Sequence, residues 1–144
     1  MRKPKVNEFS LIANSNPTHL KSLLSFTISW LEDNGMSTTK TAAVKTALCE
    51  ALSNVFDHAY DETHDKKTVE IHTIIYNDDT VKIAVRDEGK GVENLDEVQK
   101  SFCTCDPDNH SGMGFTVMKA FTDNFKVRSE YGKGTRVLLF YTLN

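Results

Sequence analysis

Hydrophobic residues recur along the chain at two spacings, one typical of helices and one of strands. A first helix is predicted after Asn16-Pro17, because Asn caps helix starts and Pro suits the first helical position. It is expected to end at Asn34-Gly35, a common helix stop. The apolar residues at helical spacing between these signals are Leu20, Leu23, Leu24, Ile28 and Leu31.

A second, longer helix is predicted from Ser37-Thr38 to about Tyr60, and a third, short one over 114–122. Five segments have the alternation typical of strands: 5–13, 68–76, 80–87, 125–131 and 134–142. Turn residues join two pairs of them, at Asn77-Asp78-Asp79 and at Gly132-Lys133-Gly134. The irregular stretch 88–113 is interpreted as a functional loop or lid.

This order of elements predicts an α/β architecture, an α+β two-layer sandwich. We expect a mixed, mostly antiparallel sheet with helices on one face. The chain of 144 residues is predicted to form a single domain over 1–144,.

Composition and charge narrow the function classes. Hydrophobic residues make up 39% and charged residues 26%, as in ordinary globular proteins,. The net charge of −3 gives no reason to expect direct binding to nucleic acid or to an acidic membrane,. There is no apolar run long enough for a membrane span or a secretory signal. Three cysteines do not suggest a disulfide framework, so a cytoplasmic location is expected,.

The second helix has a polar face with candidate chemistry. On a helical wheel, Glu50, Asn54, Asp57 and His58 fall within about 100° of arc, away from the apolar residues. A solvated surface explains such a stripe. It is also compatible with an amide oxygen at Asn54 that binds Mg²⁺ and a carboxylate at Glu50 that accepts a proton from a hydroxyl.

The end of the strand over 80–87 carries a second signal. Asp87 shares its face with the apolar residues of that strand, so its carboxylate needs hydrogen-bond donors. The amino group of an adenine and the backbone N–H groups of a turn both fit. Gly89 and Gly91 follow, and both allow the backbone to approach a flat ligand. In the strand over 134–142, Thr135 lies on the same face as Val137 and Leu139, and this position could bring its hydroxyl near Asp87.

The segment Ser111-Gly112-Met113-Gly114-Phe115 leads into the third helix. Glycines at a helix start leave N–H groups free to bind an anion. The same glycines could instead only shape a loop.

The order of these motifs resembles the GHKL ATPase and kinase superfamily over essentially the whole chain. The segments CEALSNVFDHAY, VRDEGKGV and SGMGFTVMKAFTDNFKVRSEYGKGT resemble the anti-sigma factor serine kinases of sporulation and stress responses. The resemblance implies a Bergerat-type ATP-binding fold, ATP or ADP with Mg²⁺ as ligands, and transfer of phosphate to a protein serine.

The resemblance also implies roles for individual residues. Glu50 would be the general base, Asn54 the Mg²⁺ ligand and Asp87 the adenine reader, with residues 92–111 as the ATP lid. The full candidate nucleotide-binding set is Asn54, Asp57, His58, Asp87, Gly89, Gly91, His110, Ser111, Gly112, Met113, Gly114, Phe115 and Thr135.

In that family the domain is a homodimer that sequesters a sigma factor and phosphorylates an anti-anti-sigma (STAS-type) protein. Relatives usually carry an arginine before the Ser-Gly pair, where this chain has His110, and a neutral imidazole is a weaker phosphate clamp. A regulatory module that binds nucleotide and sigma factor with little or no kinase activity is therefore the alternative. A histidine-kinase catalytic domain is a third reading, for which phosphoacceptor helices are not seen.

Two further features have ordinary interpretations. Cys103-x-Cys105 has poor spacing for tetrahedral zinc and is expected to belong to the lid. Phe26 and Trp30 are predicted to lie in the core or in a dimer interface.

Overall fold

The computed structural model describes residues 3–92 and 114–144. The strands are β1 (Lys5–Asn14), β2 (Thr68–Tyr76), β3 (Thr80–Asp87), β4 (Asn124–Glu130) and β5 (Gly134–Thr142). The helices are α1 (Leu20–Asp33), α2 (Thr38–Asn54) and α3 (Gly114–Ala120), with a 3₁₀ turn at Pro17–His19 and a π-helical turn at Val55–Ala59. No helix in these two described ranges is long and apolar enough to cross a membrane.

The five strands form one sheet in the order β1-β2-β3-β5-β4. All the pairings between them are antiparallel, so the parallel pairing that a mixed sheet would contain is not found among the described strands. The hairpin between β2 and β3 turns at Asp79, which has a positive φ of 66°. Asp and Asn tolerate this conformation better than most residues, which agrees with the turn predicted at Asn77-Asp78-Asp79.

The helices cover one face of the sheet and form the predicted two-layer sandwich. The apolar stripe of α2 is buried between this face and the other helices, and includes Val44, Leu48 and Leu52. On the sheet side, this stripe packs against the alternate strand residues that face the helices. Ile71 and Ile83 are two of these residues, and both are fully buried. The opposite face of the sheet carries no helix of the described residues.

The start of α1 and the end of α2 differ from the sequence prediction. The Asn16 side chain caps the first helix by accepting from the N–H of Thr18 at 2.9 Å, but the first turn is 3₁₀. The α-helical part of α2 ends at Asn54 rather than near Tyr60. The chain continues as a π-helical turn, which widens the helix immediately beside Asn54. Such turns are often found at functional sites.

The remaining boundaries differ by a residue or two. The third helix ends at Ala120 instead of Thr122. The strand predicted over 125–131 covers Asn124–Glu130. The prediction of a lid over 92–111 falls almost entirely outside the described residues.

Candidate active site

Asp87 is the buried carboxylate at the end of β3. Its side chain faces the helices, as the strand parity predicts, and the residue is only 7% exposed. Oδ1 accepts hydrogen bonds from the backbone N–H of Gly89 at 2.9 Å and of Thr135 at 3.2 Å. Burial raises the pKa of Asp87, and these two N–H groups act in the opposite direction. Both hydrogen bonds from the described residues end on Oδ1, which leaves Oδ2 available to a ligand.

Ser129 and Thr135 form a small polar network next to Asp87. Thr135 is paired directly with Asp87 on one side and with Ser129 on the other. The two hydroxyls are 2.8 Å apart, and Ser129 also donates to the carbonyl of Gly134 at 3.2 Å. Its oxygen accepts from the N–H of Val92 at 2.9 Å. The network therefore fixes the chain after β3 against the β4–β5 hairpin.

A cavity of about 130 Å³ lies beside Asp87 and Thr135. Its volume is close to the roughly 150 Å³ that holds a benzene-sized ring in an engineered protein cavity. Most of its wall is apolar, and the polar side chains that line it are Asp87, Thr135, Asn54, His58 and Lys90. The apolar lining is Ala51, Val55, Ala59, Val85, Val92, Phe115, Val127 and Val137. A flat, largely apolar ring with one hydrogen-bonding edge fits this shape and polarity.

Glu50 and Asn54 meet the start of α3. A Cβ placed on Gly114 would lie 3.2 Å from Nδ2 of Asn54 and 3.6 Å from Oε2 of Glu50. Gly114 is buried, and its missing side chain is what lets this residue of α3 pack against these two polar groups. A carboxylate, an amide and the backbone of α3 thus lie together beside the cavity.

The donor set at this point fits Mg²⁺ held jointly with a bound phosphate. Mg²⁺ usually keeps several waters and takes one or two protein oxygens together with substrate phosphates. The amide oxygen of Asn54 can supply one ligand and the Glu50 carboxylate lies next to it. The residues described here contain no cluster of three or more His, Cys, Asp or Glu side chains, as an all-protein metal site would need.

The segment after β3 is held by two close backbone approaches. A Cβ on Gly89 would lie 2.0 Å from the carbonyl oxygen of Ala59, and one on Gly91 would lie 2.2 Å from that of Glu130. Gly91 also has a positive φ of 64°. Between them, Lys90 donates its N–H to Ala59 at 2.8 Å and accepts from Gly132 at 2.7 Å. The π-helical turn and the β4–β5 hairpin therefore clamp this segment at the cavity.

Comparison with known proteins agrees with this geometry. Residues 13–141 match the histidine kinase-like ATPase domain. The chain belongs to this family. It is also 41% identical over 102 residues to the anti-sigma F factor of Clostridium perfringens strain SM101, covering 70% of this chain and 71% of that protein. The anti-sigma F factor of Geobacillus thermodenitrificans is 39% identical over 97 residues, which are 67% of this chain and 65% of that one.

Solved structures support the same ATPase fold at low identity. The RsbU and RsbW domains of a Mycobacterium tuberculosis protein align with a TM-score of 0.72 at 15% identity, over 95% of this chain and 32% of that one. The histidine kinase domain of a blue-light activated kinase from Erythrobacter litoralis aligns with a TM-score of 0.58 at 17% identity, over 86% of this chain and 61% of that one.

The histidine kinase-like ATPase fold brings most of the predicted site residues together. The cavity is lined by Asn54, His58, Asp87, Gly91, Phe115 and Thr135. Glu50 and Gly114 lie beside Asn54. Asp57 is exposed and does not line the cavity, since it lies on the side of the helix opposite the apolar stripe. Gly89 does not line it either and packs against Ala59 instead.

Four predicted residues cannot be placed. His110, Ser111, Gly112 and Met113 lie outside the described residues, as do the cysteines of the discounted zinc site.

Sequence reasoning missed Ser129 and Lys90. Ser129 is a single serine in an otherwise unremarkable strand, and only the pairing of β4 with β5 places it beside Thr135. Lys90 lines the cavity from between the two glycines. Its position inside the Gly89-x-Gly91 motif was a signal that could have identified it.

Proposed function

We propose that this protein is an anti-sigma factor that uses Mg²⁺ and ATP to phosphorylate a serine of an anti-anti-sigma partner. The observation that carries the proposal is the position of Glu50 and Asn54 against Gly114, at the side of a cavity that ends at Asp87. One end of this arrangement suits an adenine, and the other suits phosphates and an attacking hydroxyl. The similarity to anti-sigma F factors supports the choice of partners.

The nucleotide is proposed to lie along the cavity. Oδ2 of Asp87 would accept from the exocyclic amino group of adenine, and the apolar walls formed by Val85 and Val137 would contact the faces of the ring. The buried carboxylate gains a donor in place of the water it lost on folding. Thr135 and Ser129 keep the carboxylate end of the cavity in place.

Phosphoryl transfer then needs mainly positioning and charge neutralisation. Asn54 would hold Mg²⁺, which neutralises phosphate charge. The serine oxygen attacks the γ-phosphorus, and its proton passes to a carboxylate oxygen of Glu50. The new bond is serine O–P, and the bond to the β–γ bridging oxygen breaks with its electron pair leaving on ADP. The products are phosphoserine and ADP.

The contact surface for other proteins is proposed to lie on α1 and β1. Phe26 is 48% exposed on α1, and its ring packs at 5.0 Å from that of Phe9 on β1. Trp30 adds a second ring at 4.8 Å from Phe9. We propose that this aromatic cluster takes part in the contacts with a second copy or with the sigma factor. Such partners act in the cytoplasm, which is the location we propose.

One experiment separates this function from a binding module without kinase activity. The protein is incubated with γ-labelled ATP, Mg²⁺ and the anti-anti-sigma protein encoded nearest to its own gene. Label on a partner serine is the expected result. Binding of nucleotide and sigma factor without label on any cognate partner would favour a binding module that has no kinase activity. This module is the second candidate because the chain has His110 before the Ser-Gly pair.

A further inference from the structure

Three arginines lie side by side on the open face of the sheet. Arg136 on β5 is paired with Arg86 on β3 and with Arg128 on β4. All three are exposed. We call them the arginine row. It runs across three strands, on the reverse side of the sheet from Asp87.

This arrangement is unfavourable for folding alone. Directly opposed residues on neighbouring strands have Cβ atoms about 4.5–5.5 Å apart, and like charges there are destabilising. Arg86 lies opposite Glu70 on β2 and forms an ion pair with Glu88 at 3.4 Å, in which both side chains are about half exposed or more, so its charge is partly balanced. Within residues 3–92 and 114–144, Arg128 and Arg136 form no ion pair with a carboxylate. A row of charges that costs stability suggests a binding role.

The residues around the arginine row add positive charge, and buried apolar residues lie beneath it. Lys82 and Lys126 lie on the same face, over the rings of Tyr76 and Phe140 at 5.9 and 5.6 Å. Beneath the long side chains, three small or branched apolar residues of this face are buried, although no described helix covers them. They are Ile74, Ala84 and Leu138. Together these residues line a shallow depression of about 850 Å³.

Charge complementarity selects an acidic partner. A second copy of this chain is disfavoured, because a two-fold contact centred on the row would place one arginine row against the other. Nucleic acid is disfavoured by the net charge of −3 and by Glu70, Glu88 and Glu130 around the row,. A short carboxylate-rich segment can place its few charges on the arginines alone and avoid these glutamates, whereas a nucleic acid carries phosphate charge along its whole length.

The spacing of the row indicates the form of that segment. Neighbouring strands are about 4.7–4.9 Å apart, and successive turns of an α-helix rise about 5.4 Å. Carboxylates one turn apart on a helix that crosses the strands would therefore each meet one arginine. Arginine pairs with carboxylates through two parallel hydrogen bonds, which gives such a contact strength and direction.

We propose that the arginine row is a docking site for the acidic face of a helix in a partner protein. The docking needs neither nucleotide nor phosphoryl transfer, so it goes beyond the proposed kinase reaction and can fail or succeed independently of it.

The test uses the full chain and a fluorescent, alanine-rich peptide of about 20 residues, long enough to be helical alone. Its glutamates are placed one turn apart on one face. A second peptide has the same composition with the glutamates distributed around the helix. Anisotropy should show that the first peptide binds at least about tenfold more tightly, with an affinity that falls as salt is added.

Variants locate the contact. The double variant Arg128→Gln with Arg136→Gln should weaken binding of the one-faced peptide about tenfold or more, the loss expected for charge-assisted hydrogen bonds. Lys45→Gln, an exposed change on α2 with the same loss of charge per site, should leave it unchanged. Because like-charge repulsion is relieved, the Tm of the double variant should equal or exceed that of the wild type.

Three results would overturn the proposal. The first is equal affinity for the two peptides, and the second is an equal effect of Lys45→Gln and the double variant. The third is displacement of the peptide by a single-stranded oligonucleotide of the same charge that binds more tightly, which would make the row a nucleic-acid site.

Discussion

Thr135 and Asp87 lie directly opposite each other on β5 and β3, and the N–H of Thr135 donates to Oδ1 of Asp87 at 3.2 Å. The two residues are 48 positions apart in the chain. The pairing holds one oxygen of a buried carboxylate and leaves the other for a ligand. It links the position of this carboxylate to the register of the sheet.

Replacement of Asp87 should test its role as adenine reader. Asp87→Asn replaces an acceptor with a group that can present its amide donors to the adenine amino group, so ATP binding should weaken by roughly 1–3 kcal/mol. Isothermal titration calorimetry measures this directly. Asp65→Asn, an exposed change of the same kind, is the control. Equal affinities of Asp87→Asn and wild type would remove Asp87 from this role.

The raised pKa of Asp87 predicts a pH dependence of stability without nucleotide. The folded state favours the protonated carboxyl, since burial raises its pKa above the ordinary 3.8. This contribution to the free energy of unfolding is fully present below the unfolded pKa and is lost as pH rises through the folded pKa. The stability of Asp87→Asn relative to wild type should therefore increase from below pH 3.8 toward neutrality.

Urea titrations of both proteins at a series of pH values measure this difference. A difference that stays flat, or one that decreases as pH rises, would contradict the assigned effect of burial on this carboxyl.

Glu50→Gln should separate binding from catalysis. The amide keeps the size of the side chain but cannot accept the proton of the acceptor serine. Nucleotide and sigma binding should be retained, and single-turnover phosphorylation should slow by about 10²–10⁴. Glu62→Gln, in the exposed loop before β2, should react at the wild-type rate. Transfer by Glu50→Gln at the wild-type rate would show that Glu50 is not the base.

Gly114→Ala should impair the phosphate end of the site while leaving the fold intact. The new Cβ would press on the Asn54 amide at 3.2–3.4 Å, so Mg²⁺-dependent ATP binding should weaken several-fold. Gly114 has no positive φ, so alanine can adopt its backbone conformation. The smaller entropy of the unfolded chain then stabilises the variant by about 0.4–1 kcal/mol, which offsets the crowding. The free energy of unfolding should therefore change little.

Thr116→Ala is the matched control, since it lies on the exposed side of α3. It should bind ATP as the wild type does. A Gly114→Ala protein with undiminished ATP affinity would indicate that the α3 start and Asn54 do not act together on the ligand.

Ser129→Ala should show whether the polar network supports the cavity. The change removes the acceptor for Val92 N–H and the partner of the Thr135 hydroxyl. The free energy of unfolding should fall by about 1–3 kcal/mol, and ATP binding should weaken with it. Ser10→Ala, on an exposed position of β1, supplies the comparison for thermal unfolding and calorimetry. Equal behaviour of the two variants would leave Ser129 without a positioning role.

Local patterns along the chain were sufficient to predict the elements. The hairpin strands over 68–76 and 80–87 agree with β2 and β3 to the residue, because alternation and turn residues lie within the segment itself. Helical periodicity predicts the buried stripe of α2 for the same reason. The order of the motifs along the chain indicates the family without any tertiary contact.

Contacts between distant segments decided the rest. The π-helical turn after Asn54 ends at Ala59, whose carbonyl accepts from the N–H of Lys90, 31 positions later in the chain. Asp87 meets Thr135, and Arg136 meets both Arg86 and Arg128, only because β5 lies between β3 and β4. Periodicity fixes which face a side chain takes on its own strand. Which side chains become neighbours depends on strand order and register, and these are set by the packing of the whole sheet against the helices.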